Sequence, residues 1–408
     1  MAPSFGGHQK PAAKRAVMEF ALDVLADLAK ADVAWEQGGM DAGPAILASL
    51  IAESQPDVRD EAAVVVVRWL SGLQSAAEVG LFGGIAGYAA GTQAALDWYP
   101  PIRQIASQLL DSLTTAETAE FWRTQPLAWR DYDLPSGPAG LILAAASAGN
   151  LAVPIRAIRH LVSLCAADNL EGLRVNTHRT HELIGWNYGR INTGLAHGVG
   201  AIVAALRSAL NYKIAQLPDD ATNVEDSEIR LALRRACNWL VAESFEDDRG
   251  LLTWVPAGRE GEEPPRAPAS RQGWCYGTPG LAWTLWDAGL ALGDQSLQAF
   301  AAEAMCRFCA IFEEDFYIDR EGIDDALGIC HGAAGMLAIA DAFVLHAELD
   351  QAEVLRHRLH AYLIDHLKDV RELAGSNPSL LTGAGGILSV LMTLEGGRRD
   401  WLQQIALR

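Results

Sequence analysis

The sequence is short of cysteine, of uninterrupted apolar stretches and of positive charge. Six cysteines in 408 residues are too few for a disulfide framework, because proteins built on disulfides are small and dense in cysteine. No apolar run approaches the roughly 20 residues of a membrane-spanning helix. The formal net charge is −19, with nothing like the basic stripe of a nucleic-acid-binding protein. These absences argue against a disulfide scaffold, a membrane span and a nucleic-acid partner.

The N-terminal region carries no signal peptide. Its apolar stretch is interrupted by charged residues, among them Glu19, Asp23 and Asp27, which is typical of an amphipathic helix. We therefore predict a helix over residues 12–35. Together with the low cysteine content, this indicates a cytoplasmic protein.

A glycine-led motif recurs along the whole chain. A length of 408 residues ordinarily suggests two domains, but internal repeats change that count. We predict a single domain over residues 1–408. The motif occupies residues 43–46, 84–87, 137–140, 198–201, 277–280, 332–335 and 383–386. The first copy is degenerate, and in the fourth copy Ala201 replaces the second glycine.

Each glycine pair precedes an apolar helical pattern, and the intervals leave room for a second helix per repeat. Half of the residues are hydrophobic, which suits a mostly helical protein with a large core. The run of residues 64–67, all valine, is better placed in a helix than in a strand because its surroundings are rich in alanine. We predict an all-α fold in which seven helical hairpins close into an α/α double barrel. An open helical solenoid used for binding is the alternative.

Residues 255–270 are rich in proline. Four prolines stand there among charges of both signs, which predicts a loop. The loop leads directly into the bend before the fifth repeat, so it is a candidate cover for a site at that bend.

Three residues in two such bends have the side chains of a zinc site. Cys330 and His331 are adjacent and stand directly before a repeat glycine, and Cys275 stands in the preceding bend of this kind. Adjacent residues do not share a helix face, so both can reach one metal only from the bend. Two thiolates and an imidazole leave the fourth tetrahedral position of Zn²⁺ open for water or substrate. The alternative is that the cysteines are small buried core residues, which is what we predict for Cys165, Cys237, Cys306 and Cys309.

His197 holds the same place in its repeat that His331 holds in another, and imidazole titrates near neutral pH. We therefore predict that His197 is a general acid or base. Asp133 precedes another repeat glycine and either orients a histidine or caps a helix. Arg271, four residues before Cys275, either stabilises developing negative charge or is an ordinary surface residue.

Three motifs resemble those of a known family, the lanthionine synthetase C family of LanC cyclases. They are Gly-Leu-Ala-His-Gly at 194–198, Trp-Cys-Tyr-Gly-Thr-Pro-Gly at 274–280 and Cys-His-Gly-Ala-Ala-Gly at 330–335. The glycine-led repeats extend the resemblance over nearly the whole chain. It implies an (α/α)7 double barrel, or toroid, with one zinc ion per chain. The counterparts that would bind zinc are Cys275, Cys330 and His331, and those that would line the site are His197, Asp133, Arg271 and Tyr276.

The same resemblance implies a reaction. A peptide cysteine adds to dehydroalanine or dehydrobutyrine and forms a lanthionine or methyllanthionine thioether ring. The expected partners are a dehydrated precursor peptide, a separate dehydratase that prepares it, and a transporter. Alternatives are the addition of glutathione or another small thiol to dehydroamino acids, and a non-catalytic scaffold in a biosynthetic complex. The chain begins with methionine and ends soon after the seventh repeat, so a stand-alone protein is expected rather than a domain of a larger synthetase.

Overall fold

A computed structural model describes residues 9–30, 41–75, 79–119, 122–148, 154–211, 224–263, 265, 267–269, 271–318 and 323–408. Within these ranges the chain is mostly helical, with long irregular segments between helices and almost no strand, as predicted for an all-α fold. The two short strands that the sequence did not indicate are β1 (Phe245–Glu246) and β2 (Leu252–Thr253), which pair antiparallel.

Seven apolar helices form an inner ring, and each begins within or directly after a glycine-led segment. They are α2 (Gly43–Ser54), α4 (Ile85–Ala95), α6 (Pro138–Ala148), α8 (Val199–Ala209), α10 (Thr278–Leu292), α14 (Ala333–Ala347) and α17 (Ala384–Leu394). Each inner helix packs against the next in chain order, and α17 packs back against α2. The ring is therefore closed, as predicted, and the open solenoid is wrong.

Amphipathic helices surround this ring. They are α1 (Gln9–Ala29), α3 (Arg59–Ser71), α5 (Arg103–Ala119), α7 (Ile155–Leu164), α9 (Asp226–Glu243), α11 (Gln295–Ile311), α15 (Asp350–Asp365) and α16 (Leu367–Ser376). Two short helices, α12 (Glu314–Tyr317) and α13 (Ile323–Leu327), precede the sixth repeat. In α3, Val65 and Val66 are buried whereas Val64 and Val67 are about half exposed. The valine run is thus helical, as predicted.

The N-terminal helix differs from its predicted range of 12–35. It begins at Gln9 and ends at Ala29, where the Lys30 amide donates to the Asp27 carbonyl at 3.2 Å and closes the last turn. Residues 31–40 lie outside the described residues. No helix in the described part of the chain is long and apolar enough to cross a membrane.

The second glycine of five repeats allows two stretches of backbone to approach closely. A methyl group there would overlap a carbonyl oxygen of the preceding bend. Each glycine and the residue whose carbonyl oxygen it approaches are Gly87 and Leu81, Gly140 and Leu134, Gly280 and Trp274, Gly335 and Ile329, and Gly386 and Leu380. Glycine at this place is therefore required by packing, since any side chain would push the inner helix away from its own bend.

The fourth repeat, in which Ala201 replaces the second glycine, has a different backbone hydrogen bond at this place. In the fifth repeat the amide of the second glycine, Gly280, bonds to the Gly273 carbonyl at 3.2 Å. In the fourth repeat the corresponding bond starts one residue earlier, from Gly200 to Thr193 at 3.2 Å. Helix α8 still begins one residue after the first glycine of its repeat, as α10 and α14 do, and the Ala201 amide bonds to the Gly198 carbonyl at 3.0 Å.

The bends before the inner helices are joined to one another by backbone hydrogen bonds. These run from Phe82 N to Pro135 O (3.2 Å), Leu134 N to Ala196 O (3.0 Å), Leu195 N to Cys275 O (2.8 Å), Cys275 N to Cys330 O (3.1 Å) and Cys330 N to Leu381 O (2.8 Å). Each bend consequently fixes the backbone of its neighbour.

Asp41 makes the connection between the seventh repeat and the first. Its buried carboxylate accepts hydrogen bonds from the amides of Leu380 (2.6 Å), Leu381 (3.3 Å) and Gly43 (3.1 Å). The indole of Trp69 donates to its carbonyl oxygen at 2.8 Å. At this junction a side chain therefore provides the hydrogen bonds that backbone groups provide between the bends of the second to seventh repeats.

Residues Asp400–Ile405 form a 3₁₀ turn that packs against α4 and α6. The indole of Trp274 donates to the carbonyl oxygen of Ile405 at 2.7 Å, and the indole of Trp283 donates to that of Ala406 at 3.0 Å. This C-terminal segment therefore supports the bend that contains Cys275.

The described residues of the 255–270 loop form neither a helix nor a paired strand, and Ala257 makes an isolated antiparallel bridge with Asn192. The loop is held by ion pairs of Glu260 with Arg174 and of Glu262 with Arg190, the latter at 2.6 Å. Since both arginines precede the bend that carries His197, the loop is fastened beside the fourth repeat.

Candidate active site

The three predicted zinc ligands come together in the structure. One ligand atom from each of Cys275, Cys330 and His331 lies within 4.8 Å of the others, and no other such group of cysteine, histidine and acidic side chains occurs among the described residues. Cys330 Sγ lies 3.5 Å from His331 Nε2. Cys275 is buried, whereas Cys330 and His331 are partly exposed, so the group can be reached from one side.

The two thiols shift each other's pKa in opposite directions. The pKa of Cys330 is lowered because Cys275 donates a hydrogen bond to its sulfur, and His331 adds to this effect. Burial raises the pKa of Cys275, and the charge on Cys330 raises it further. A thiolate is therefore favoured at Cys330, and thiolate is the form that binds metal.

His331 has two charged neighbours. Asp325 Oδ1 lies 3.3 Å from His331 Nδ1, and Arg271 Nη2 lies 3.3 Å from Nε2 and 3.4 Å from Nδ1. Arg271 is exposed, and its guanidinium is within hydrogen-bonding distance of the imidazole of His331.

His197 is held by Asp133. Asp133 Oδ2 lies 2.7 Å from His197 Nδ1, and the exposed fractions of the two side chains are 2% and 30%. Asp133 Oδ1 also accepts from the amide of Ser136 at 3.0 Å. Asp133 therefore contacts a histidine, whereas its bond to Ser136 lies in the bend before α6 (Pro138–Ala148) and is not a helix N-cap. Burial raises the pKa of Asp133, and His197 opposes that shift.

Trp129 covers one face of His197. The two rings are stacked, with centroids 4.5 Å apart and planes at 23°. The Trp129 carbonyl accepts from the amide of Asp133 at 2.8 Å. The imidazole of His197 is therefore fixed both at Nδ1 and on its face.

Tyr276 lies between the two halves of the site. Its hydroxyl is bonded to Asn192 Nδ2 at 2.9 Å, and burial raises its pKa. Asn192 Oδ1 accepts from the amide of Gly194 at 2.8 Å, and Tyr276 contacts Gly194 closely enough that a methyl group there would overlap its ring. The bends that carry His197 and Cys275 are thereby packed against each other.

The remaining cysteines are placed in helices or helix ends, away from the repeat glycines. Cys165 and Cys237 are buried, and burial raises the pKa of Cys165 to about 12. Cys306 and Cys309 lie on the outer helix α11, where Cys309 packs against the core. These positions fit the predicted packing role.

Three neighbours of the predicted residues did not emerge from the sequence. Asn192 stands just before the 194–198 motif, and Asp325 stands six residues before His331. Either position would have been found by searching the bends for further polar residues. Trp129 carries no comparable pattern, because a tryptophan is far more often a core residue than a partner of a catalytic group.

The comparisons with known proteins agree with this fold. The family model described as "Lanthionine synthetase C-like protein" matches residues 41–406. No curated protein sequence matches. Among solved structures thirteen chains match. One is "Nisin cyclase", with a TM-score of 0.72, 16% sequence identity, and coverage of 96% of this chain and 97% of that chain. At this identity the likeness concerns the fold.

Proposed function

This chain belongs to the lanthionine synthetase C-like family, and on that basis we propose that it is a zinc-dependent cyclase that forms thioether rings in a dehydrated peptide. The observation that supports the proposal is the convergence of Cys275, Cys330 and His331. The bend of Cys275 is bonded to the bend that carries the His197–Asp133 pair, through Leu195 N and Cys275 O at 2.8 Å. We propose Arg271 and Tyr276 as further site residues because one lies on His331 and the other joins the two bends.

The donor set fits Zn²⁺. Two sulfurs and one imidazole nitrogen are ligands that zinc prefers, and three protein ligands are usual in catalytic sites. Asp325 beside His331 matches the carboxylate that commonly orients a metal-binding histidine. When bound, zinc would lower the pKa of the peptide cysteine so that it is present as a thiolate at neutral pH.

The residues of the chain supply the proton transfers. In the addition, the sulfur–carbon bond forms at the β-carbon of the dehydroamino acid, and the electrons of its double bond move into an enolate. A proton must then reach the α-carbon. His197 donates it from Nε2, the nitrogen that Asp133 leaves available. The peptide cysteine loses one proton when its thiolate forms, and this balances the proton that His197 takes up again. The guanidinium of Arg271 stabilises the negative charge of the enolate.

The test begins with zinc content. We expect about one zinc per chain in the purified protein and none in Cys330→Ala. The His197→Asn variant should keep its zinc but close rings at least about 100-fold more slowly, in line with the loss of a general acid. Ring closure is measured as the loss of free thiol in a peptide that contains dehydroalanine and cysteine.

Two outcomes contradict the proposal. A folded parent protein that binds no zinc would favour the scaffold alternative. A His197→Asn variant that closes rings at the parent rate would remove His197 from the mechanism while leaving the metal centre intact.

A further inference from the structure

Three large apolar side chains are exposed within one short segment. The exposed fractions are 77% for Leu183, 44% for Trp186 and 41% for Tyr188. The other large apolar residues that are exposed in the described part of the chain belong to helices, namely Val64, Val67, Leu231, Leu290, Leu345 and Val354. Single exposed apolar residues are ordinary, but a group of them next to a polar site marks a binding surface. We call residues 183–188 the aromatic rim.

The rim is continuous with both halves of the site. The Trp186 ring lies 6.0 Å from Trp129, which stacks on His197 at 4.5 Å. On its other side the Trp186 ring makes an edge-to-face contact with the Tyr276 ring, with centroids 6.4 Å apart. Tyr276 follows Cys275 in the chain. Trp186 therefore links the ring that covers the proposed proton donor to the bend that holds a proposed zinc ligand.

The rim is held in place by its own contacts. The Trp186 indole donates to the Leu183 carbonyl at 3.0 Å, and the Gly185 amide donates to the His181 carbonyl at 2.8 Å. The guanidinium of Arg179 lies over the Tyr188 ring at 5.5 Å. An apolar surface that is ordered before binding loses little conformational entropy when a ligand arrives.

A cavity of about 110 Å³ adjoins the rim. Its lining combines Trp129, Val175 and Ile184 with the polar residues Arg130, Thr177 and His178. An enclosed apolar cavity of roughly 150 Å³ can hold benzene, so by volume this cavity accommodates one small side chain. Trp129 is common to the cavity wall and to the His197 stack.

We propose that the aromatic rim binds apolar side chains of the peptide substrate, next to the residue that reacts. The inference rests on the proposed function, and it names the substrate class as a peptide with apolar residues beside the reacting cysteine. Glutathione is anionic and has no apolar side chain to bury against these rings. The rim therefore favours a peptide over a small thiol as the nucleophile.

Binding is measured first, with probes that cannot react. Two synthetic peptides carry one dehydroalanine and an alanine in place of the cysteine, and beside that alanine stands either phenylalanine or serine. We expect the parent protein to bind the phenylalanine peptide at least about tenfold more tightly, and Trp186→Ala to lose about tenfold in Kd for it, because exposed aromatic anchors dominate such interfaces. Trp186→Phe should retain most of the affinity.

A matched pair tests whether the position matters. Leu183→Ala should weaken binding of the phenylalanine peptide several-fold, whereas Leu345→Ala, the same change on the helix α14, should leave it unchanged. Equal affinity of the parent protein, Trp186→Ala and Leu183→Ala for this peptide would overturn the proposal.

The reactive peptides, with cysteine restored, separate the two proposals. We expect Trp186→Ala to raise KM for the phenylalanine peptide with a smaller change in kcat. If rings close and KM is the same in the parent and in Trp186→Ala, the rim proposal is wrong and the cyclase proposal stands. If binding depends on Trp186 but no ring closes, the cyclase proposal is wrong and the rim binds the peptide for another purpose.

Discussion

At the scale of single residues, the site contains two carboxylates that each contact one histidine. Asp133 is buried and lies 2.7 Å from Nδ1 of His197. Asp325 has a side chain that is 44% exposed and lies 3.3 Å from Nδ1 of His331. The two acids have the same chemistry, so their different partners allow proton transfer and metal binding to be tested separately.

We predict that Asp133→Asn lowers kcat for ring closure at least about 100-fold and leaves the zinc content unchanged. Asparagine keeps the volume of the side chain but replaces the carboxylate that contacts Nδ1 of His197 and selects its tautomer. Steady-state kinetics and metal analysis on the same preparation check this. An unchanged kcat would show that Asp133 serves only to hold the bend at Ser136.

For Asp325→Asn we predict the opposite pattern. Affinity for zinc should fall roughly 10- to 100-fold, as it does when an orienting carboxylate behind a metal-binding histidine is lost. At saturating zinc, kcat should stay near that of the parent protein. Competition with a chelator of known affinity measures the effect. Undiminished zinc affinity would mean that the Asp325–His331 contact has no part in metal binding.

At the scale of the elements, the second glycine of each motif determines how an inner helix leaves its bend. We predict that Gly386→Ala destabilises the protein by about 2–3 kcal/mol, because its methyl group would overlap the Leu380 carbonyl and force the backbone to move. Chemical denaturation with urea measures the change from the midpoint at constant slope.

Gly375→Ala is the control for this prediction. Gly375 lies in helix α16, and a methyl group there would meet nothing within 4 Å. Alanine should therefore stabilise this helix by about 0.5–1 kcal/mol through its higher helix propensity. Equal effects of the two substitutions would contradict the close-approach explanation.

The same glycines explain how much of the fold was predictable. A glycine before an apolar helix is a local pattern, so the seven inner helices could be located from the sequence. Cys275 and Cys330 could be paired because both precede a glycine of this kind. The end of α1 at Ala29 could not be predicted, because the apolar pattern alone does not show where a helix stops.

The contacts between repeats could not be predicted from the sequence, for a different reason. Trp129 stacks on His197, and Trp186 touches Tyr276, but each partner lies in another repeat and neither pair has a fixed spacing. Such contacts depend on how the helices pack around the ring. The aromatic rim was therefore visible only in the structure.

At the scale of the whole molecule, the side chain of Asp41 links the first and last repeats by hydrogen bonds, in addition to the packing of α17 on α2. We predict that Asp41→Ala destabilises the protein by about 3 kcal/mol. The amides of Leu380, Leu381 and Gly43 would lose their acceptor in a buried place, and a buried donor without a partner costs about 1–3 kcal/mol.

The comparison for this prediction is Asp111→Ala on the exposed surface of α5. A surface substitution of this kind should change the free energy of unfolding by no more than about 0.5 kcal/mol. Urea denaturation of both variants checks the pair. If Asp41→Ala unfolds at the parent midpoint, the ring is closed by helix packing alone.

The hydrogen bond from Trp274 to Ile405 spans 131 positions of the chain. During synthesis, the bend that carries Cys275 emerges from the ribosome long before its support at residue 405 has been made. The sixth and seventh repeats, which hold the backbone of Cys330, are also made after it. The proposed metal site is therefore assembled late, and a nascent chain that stalls before residue 405 lacks the framework that positions its thiols.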